Sequence, residues 1–170
     1  MGAEFVMSAE RSIDQVWKTI KLGTNLKTSD DFRAALKQMR VRVSKRGNNI
    51  FRRKRPFIVS EEEVSMNLTS VSVEDLGFPE WALYRDIIAR AMSLGLRLCP
   101  AEIGPQLRLQ CTDQLSYNYI VAMEPIVTWD EPIVFMVHDC RDKRLCLNTV
   151  SANPDVYWDT RYRFVFLCPN

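Results

Sequence analysis

The sequence predicts an α+β fold with helices packed on one face of a curved antiparallel sheet of about five or six strands. Apolar residues recur with a helical period in residues 8–40 and again in residues 81–94. The rest of the chain alternates short apolar segments with turn residues, and no helical segment separates them. Consecutive strands joined by short connections pair in an antiparallel way, which gives the sheet its predicted topology.

Two amphipathic helices are predicted before residue 41. Segment 8–22 places its apolar residues at helical spacing, and Gly23 follows where a C-cap glycine would stand. These apolar residues are Ile13, Val16, Trp17 and Ile20. The second helix begins near Thr28 or Ser29, because the following pair of aspartates favours the positively polarised helix start, and it ends near Arg40.

A strand, a third helix and five further strands are predicted after residue 57. Apolar and polar residues alternate over 64–69, and the apolar parity reverses at Val71, which predicts a bulge or a strand end near Thr69 and Ser70. Helical spacing returns from Trp81 to Leu94 and stops at Gly95. The remaining strands are predicted at 106–111, 117–124, 133–139, 144–150 and 161–167.

The length of 170 residues suits a single domain spanning residues 1–170, with roughly two-thirds of its unfolded surface buried. Residues 1–6 resemble a cloning remnant before a natural start at Met7, and they carry no weight in the fold prediction. Burial is predicted for apolar residues on the inner faces of the helices and strands. These residues are Trp17, Ile20, Phe32, Leu36, Ile87, Ile88, Leu107, Leu109, Phe135, Val137, Phe164 and Phe166.

Composition and cysteine usage predict a cytoplasmic globular protein with no membrane partner. The chain is 46% hydrophobic and 26% charged, which is ordinary for a globular fold. It opens with no basic-then-apolar leader, and its apolar segments are far shorter than a membrane span. The five cysteines form an odd set within apolar segments, which favours reduced thiols, with a disulfide pair as the open alternative.

Residues 40–56 form a basic segment that contains eight lysines and arginines and no acid. Because the whole chain carries a net charge of +2, everything outside the segment carries −6. The segment binds nucleic acid or another polyanion, with Phe51 and Phe57 stacking on bases, or it is a solvated loop or helix face, or it docks on an acidic protein surface. Docking is favoured, because the apolar Ile50, Phe51, Phe57 and Ile58 would anchor it. The candidate polyanion-binding residues are Arg40, Arg42, Lys45, Arg46, Arg52, Arg53, Lys54 and Arg55.

The stretch LCPAEIGPQLRLQ at residues 98–110 contains the candidate ligand-binding residues. Its prolines and glycine predict a stiff joint between a helix and a strand, with Glu102 at the lip. Gln106 and Arg108 lie two apart and would share one face of the predicted strand, beside Glu124 of the next strand. Such a cluster would bind a polar ligand or perform acid–base catalysis, or it would be a solvated ion-pair surface. No catalytic residue is assigned.

His138, Cys140 and Cys146 offer three metal-ligating side chains in the sequence HDCRDKRLC. They share one face only if the hairpin register aligns Cys146 with Cys140, and no fourth ligand is evident. We therefore predict no metal and no cofactor. A catalytic Cys–His pair is not supported either, because no neighbouring residue marks an activated thiolate.

Three segments resemble a group of small bacterial proteins that have no assigned activity. The segments are YRDIIARAMSLGLRLCPAEIGPQLRLQ, YIVAMEPI and the closing RYRFVFL. The resemblance covers residues 71–126 and the last strand, and it leaves the basic segment outside. It implies a bacterial origin on mobile or accessory DNA, and it implies no site residues.

The sequence therefore predicts a protein that binds a polar ligand or a macromolecular partner without identifiable catalysis. One alternative is a nucleic-acid-associated protein that uses residues 40–55. The other is a small enzyme with an acid–base site at Glu102, Arg108 and Glu124. Whether the chain forms a homodimer stays open.

Overall fold

This computed structural model describes residues 13, 15–53 and 57–169. Helices and strands are interspersed along them. The helices are α1 (Ser29–Gln38), α2 (Lys45–Arg52), α3 (Tyr84–Ser93) and α4 (Ile103–Gln110). The first five strands are β1 (Lys18–Leu22), β2 (Arg42–Val43), β3 (Val64–Ser72), β4 (Trp81–Leu83) and β5 (Asn118–Val121). The others are β6 (Ile126–Thr128), β7 (Glu131–Asp139), β8 (Leu145–Ser151), β9 (Tyr157–Asp159) and β10 (Tyr162–Leu167).

The main sheet has eight strands in the order β1–β3–β10–β5–β7–β8–β2, with β6 also paired to β7. Two pairs are parallel, β10 with β5 and β2 with β8, and the other pairs in this sheet are antiparallel. The prediction of helices with a mostly antiparallel sheet is confirmed. The predicted count of five or six strands and the purely antiparallel pairing are wrong, because β10 returns between β3 and β5 and β2 adds an edge.

The first predicted helix is wrong over its last five residues, because Lys18–Leu22 forms strand β1. Ile20 and Leu22 are buried and alternate with exposed neighbours, which is the two-residue period of a strand against a core. Val16, predicted to lie on the apolar helix face, is 46% exposed. Residues 8–12 of that prediction lie outside the described part of the chain.

Strand β3 runs without the predicted bulge. Its first half pairs with β1 and its second half with β10, in an unbroken register that meets at Leu68. The five residues from Leu68 to Ser72 are all buried. The apparent change of parity at Val71 therefore comes from burial on both faces, which removes the alternation of apolar and polar residues.

Helix α1 forms where the sequence predicts it. The Thr28 hydroxyl accepts a hydrogen bond from the Asp31 amide at 3.1 Å, and the Asp31 carboxylate accepts one from the Thr28 amide at 2.8 Å. This reciprocal capping box satisfies two amide donors that the helix itself leaves without partners. The helix buries Phe32 and Leu36.

The third predicted helix is shorter at its start, because Trp81–Leu83 pairs with β9 as strand β4 before α3 begins at Tyr84. Gly95 follows the helix with a φ of +87°, in the left-handed region that glycine adopts readily. The predicted C-terminal boundary is confirmed.

Helix α4 replaces the strand that was predicted at 106–111. Pro105 lies in the first helical turn, where an amide donor is not needed, so it is compatible with the helix. All six residues from Ile103 to Arg108 are buried, and the helix packs against β1, β7 and β8. A Cβ added to Gly104 would lie 2.5 Å from the Phe135 ring, so only glycine permits this close approach to β7. A helix buried on most sides has no polar face to reveal its period.

The core lies on the sheet beneath α1, α2 and α4, and most of the predicted core residues are buried in it. The exceptions are Trp17, Ile88 and Leu109, which are half-buried. Trp17 stacks on Tyr119 with ring centroids 4.5 Å apart. In the described part of the chain, no helix has the length and apolar character needed to cross a membrane.

Candidate functional site

Glu102 is fully buried at the start of α4, where it connects three segments of the fold. Its Oε1 accepts hydrogen bonds from the Gly23 amide at 3.0 Å and from Gln106 Nε2 at 3.0 Å. Its Oε2 accepts one from the Ser60 amide at 2.7 Å. Gln106 also donates to the Thr24 hydroxyl. The carboxylate therefore holds the turn after β1 and the segment before β3 against α4.

Arg108 is also fully buried, near the end of α4, and its partners differ from those of Glu102. Its guanidinium pairs with the Asp139 carboxylate at 3.0 Å and donates to the backbone carbonyls of His138 and Cys111. The other Asp139 oxygen accepts from the Leu115 amide at 2.9 Å. Burial lowers the pKa of Arg108, and the neighbouring Asp139 carboxylate opposes this effect.

The predicted cluster of Glu102, Gln106, Arg108 and Glu124 assembles only in part. Glu102 and Gln106 lie one turn apart on α4 and are bonded, whereas no hydrogen bond joins Arg108 or Glu124 to either of them within the described residues. The strand geometry that placed Gln106 and Arg108 on one face is wrong, because residues two apart on a helix point in different directions.

Glu124 is exposed and lines a cleft of about 970 Å³, which we call the Glu124 cleft. The cleft is lined by Arg53, Ile58, Ser60, Cys99, Pro100, Ala101, Glu124, Pro125, Ile126 and Val127. The segments of the bacterial resemblance meet at this cleft, since the Cys99 amide donates to the Ala122 carbonyl at 2.7 Å. The walls are mostly apolar, and Glu124 is the only carboxylate among the residues that line them.

The basic segment is ordered over its described residues 40–53 and docks on the sheet. Ser44 caps α2 by accepting a hydrogen bond from the Gly47 amide at 3.1 Å, and β2 pairs with β8. Ile50 and Phe51 are buried, as is Phe57 beyond the segment, and the two phenylalanine rings contact each other edge-on. The prediction that Phe51 and Phe57 stack on bases is therefore wrong, because both rings belong to the core.

A groove runs along α1 and α2, formed by two adjoining cavities of about 570 and 640 Å³ that share Asp30, Arg33 and Phe51. We call it the basic groove. Its eight cationic side chains are Lys27, Arg33, Lys37, Arg40, Arg42, Arg52, Arg53 and Arg144. Asp30 is the only carboxylate among the lining residues. Positive charge therefore dominates this concave surface.

Four cations of the basic groove have partners within the chain. Arg33 pairs with Asp30, and Arg144 pairs with Asp142 across the hairpin turn. The guanidinium of Arg53 and the ammonium of Lys27 donate to backbone carbonyls. The other four side chains make no hydrogen bond or ion pair with the described residues. These are Lys37, Arg40, Arg42 and Arg52, and all are exposed.

The eight cations predicted from the basic segment divide into three groups. Arg40, Arg42, Arg52 and Arg53 line the groove. Lys45 is exposed outside the groove lining, and Arg46 pairs with Glu131 at 2.7 Å. Lys54 and Arg55 lie outside the described residues. Among the six described cations of the segment, docking has thus neutralised Arg46 alone with an acid of the protein's own surface.

Sequence reasoning missed four cations of the basic groove. Arg33 and Lys37 lie four apart on α1, so the helical period alone would have placed them on one face, with Arg40 one turn further. Lys27 precedes the helix cap and carries no such signal. Arg144 reaches the groove only because β2 pairs with β8, which local pattern does not reveal.

His138, Cys140 and Cys146 lie together at the end of the β7–β8 hairpin, with one ligand atom from each within 4.8 Å of the others. The register places His138 opposite Cys146, so the predicted requirement that Cys140 align with Cys146 is wrong. All three side chains share one face whenever Cys146 pairs with His138 or with a residue an even number of positions from it. Cys140 and Cys146 form a disulfide with a Cα–Cα distance of 5.9 Å, so the favoured prediction of reduced thiols fails for this pair.

Comparison with known proteins finds no matching family model, no matching curated protein and no matching solved structure.

Proposed function

We propose that the protein binds the phosphate backbone of nucleic acid in the basic groove. The observation that carries this proposal is the set of four exposed cations without a partner among the described residues, around a groove with one carboxylate. Like charges gathered on a concave surface raise the local positive potential and attract polyanions. An internal acidic partner would have neutralised this potential, and among the described cations of the basic segment only Arg46 has one.

The length of the groove suits several phosphates in a row. Helix α1 has ten residues, which corresponds to roughly 15 Å along its axis. Phosphates on one strand of B-DNA follow each other at about 3.4 Å along the helix axis, so this length matches about four of them. A small polar ligand would instead need convergent groups in an enclosed pocket. An extended polyanion is therefore the better match.

The groove favours contacts to the backbone over contacts to the bases. Phe51 and Phe57, the two aromatic residues that line it, are buried and offer no exposed ring for stacking. Phosphate contacts position a protein on nucleic acid but carry no sequence information. The proposed binding is thus independent of base sequence, and the cytoplasm is its proposed compartment.

The other two functional hypotheses have weaker support. Both carboxylate oxygens of Glu102 and both terminal nitrogens of Arg108 are engaged in internal bonds, so we do not propose an acid–base site that contains them. The Glu124 cleft offers room for a small ligand, but its walls are mostly apolar. Arg53 and Ser60 also line it, and among the described residues no hydrogen bond joins either of them to Glu124.

The proposal predicts binding that depends strongly on salt. Four phosphate contacts on duplex DNA release condensed counterions and give a slope of roughly −3.6 in log K against log salt, which is about a 100-fold loss of affinity between 50 and 200 mM. Fluorescence anisotropy of a labelled duplex and of its separate strands measures this slope. Binding that is absent at low salt on every probe would contradict the proposal.

Matched variants separate the groove from the net charge of the protein. The groove variant carries Lys37→Gln, Arg42→Gln and Arg52→Gln, and the control carries Arg85→Gln, Arg97→Gln and Arg161→Gln, all exposed and outside the groove. Both lose three positive charges. We expect the groove variant to lower the slope by about 0.9 for each lost contact, while the control keeps most of the parent affinity. Equal losses in both variants would show that binding is a property of net charge alone.

A further inference from the structure

The cluster of His138, Cys140 and Cys146 is a second place where ligating side chains converge, and the basic groove makes no use of it. The direct pairing of His138 with Cys146 and the two-residue offset of Cys140 put an imidazole and two sulfurs on one face of the hairpin. Cys146 is fully buried, and the other two residues are half-buried. The cluster is therefore partly shielded from water but open on one side.

The imidazole of His138 keeps one nitrogen available as a ligand. Its Nδ1 lies 3.1 Å from the Asp139 carbonyl, and because a carbonyl only accepts, Nδ1 carries the proton. The lone pair is then on Nε2, which is buried and has no hydrogen-bond partner among the described residues. Histidines that bind metals usually donate their other ring N–H to a carbonyl or a carboxylate in this way.

We propose that the reduced form of this cluster binds zinc through His138, Cys140 and Cys146. A dithiol reductant converts the Cys140–Cys146 disulfide into two thiols and is itself oxidised to a disulfide. Each thiol then loses its proton to solvent as its sulfur binds the cation. Two thiolates neutralise the charge of Zn²⁺, so the partly buried site holds no net charge.

The donor set selects zinc over harder cations. Thiolate and imidazole are the ligands that zinc prefers, whereas magnesium and calcium prefer oxygen. Three protein ligands leave one position for water, as in zinc sites that are open to a further ligand. The absence of a fourth protein ligand, which led to the sequence-based prediction of no metal, is therefore compatible with such a site.

The disulfide and the zinc ion use the same two sulfurs, so they exclude each other. Oxidation closes the site, and reduction opens it. The site lies next to the basic groove, because Arg42 of β2 is the register partner of Cys146 and Arg144 lies in the same hairpin turn. The proposal nevertheless rests on the three ligands alone and stands whether or not the groove binds nucleic acid.

The test uses the full chain, purified without a metal-affinity step, in reduced and oxidised form. Reduced protein is titrated with Zn²⁺ and with Co²⁺, whose charge-transfer absorption reports thiolate ligands. We expect one ion per chain in the reduced protein and none in the oxidised protein. Because loss of a group that merely supports a ligand costs about 10–100-fold in metal affinity, loss of a ligand itself should cost about 100-fold or more.

Three ligand variants and one control identify the site. Cys146→Ser, Cys140→Ser and His138→Gln should each lose tight binding and the cobalt absorption, whereas Cys111→Ser, at a buried cysteine outside the cluster, should keep both. The half-buried Cys140 serves if the variant at buried Cys146 fails to fold. Reduced parent that binds no more tightly than Cys140→Ser would overturn the proposal. So would a disulfide that resists a dithiol reductant in the folded protein.

Discussion

The buried charges of α4 have bonding partners within the chain, whereas several exposed charges of the basic groove have none among the described residues. Glu102 and Arg108 lie near the two ends of α4 with no exposed surface, and each makes several bonds within the chain. In the groove, Lys37, Arg40 and Arg42 are exposed and make none with the described residues. The charges of α4 are therefore compensated in the core, whereas these three groove cations are uncompensated at the surface.

This difference separates structural residues from candidates for binding. A buried charge is stable only when it is paired and hydrogen-bonded, so its partners are already engaged and a ligand has little to gain from it. An exposed cation loses little free energy without a partner, and its charge stays accessible to a polyanion. The most restricted stretch of sequence, LCPAEIGPQLRLQ, therefore supports the fold, and the basic segment supplies the proposed function.

The largest expected effect is on stability, when an arginine is replaced by alanine in each of the two regions. Arg108→Ala removes a buried cation and leaves Asp139 without its partner, which should cost about 3–5 kcal/mol of unfolding free energy. Arg42→Ala removes an exposed cation and should change it by less than about 0.5 kcal/mol. Urea denaturation of both variants checks the contrast. Similar stabilities would break the comparison at its centre.

A smaller loss of stability is expected for Glu102→Gln. This substitution keeps the side-chain shape and replaces one acceptor oxygen with an NH₂ donor. Glu102 receives the amides of Gly23 and Ser60, so one of these donors would face an NH₂ group and stay unsatisfied. Such a loss costs about 1–3 kcal/mol. Stability measured by thermal or urea unfolding should fall, while affinity for a labelled oligonucleotide stays the same. A variant of normal stability that loses oligonucleotide binding would place Glu102 in the binding surface.

The smallest expected effect is the pH dependence of the stability that Asp31 contributes at the cap of α1, beside the basic groove. The Thr28 hydroxyl and the Lys27 and Thr28 amides lower the pKa of Asp31 below 3.8, so this contribution to stability is full above that pH and is lost as pH falls through the lower folded value. Asp31→Asn should therefore be less stable than the parent at neutral pH, and the difference should shrink in acid. A difference that grew in acid would contradict the capping role.

The sequence predicts those elements whose signal is local. Helix α1 has a cap, an acidic first turn and an apolar face, and β10 is a short apolar segment between turns. Helix α4 is different, because it is buried on most sides and its leucines alternate as in a strand. Strand β1 was predicted as a helix because Val16, Trp17 and Ile20 lie at helical spacing, whereas the strand that forms buries Ile20 and Leu22, which lie two apart.

Long-range pairing was the part that the sequence could not supply. The basic groove needs the parallel pairing of β2 with β8 to bring Arg144 beside Arg42, and this pairing joins segments about a hundred residues apart. The cluster at His138 depends on the register of the β7–β8 hairpin, because a shift by one residue would move Cys146 to the opposite face. The concentration of positive charge, in contrast, can be predicted from the sequence alone, and the basic segment supplies half of the groove cations.

The central claim is that nucleic acid contacts the uncompensated cations and not the compensated ones. Backbone amide chemical shifts of isotope-labelled protein, followed while an unlabelled oligonucleotide is added at low salt, test it directly. We predict shifts that concentrate at residues 27–53 and at Arg144, with none at Glu102 or Arg108. Shifts that concentrate at the Glu124 cleft or along α4, with the basic groove unchanged, would contradict the account.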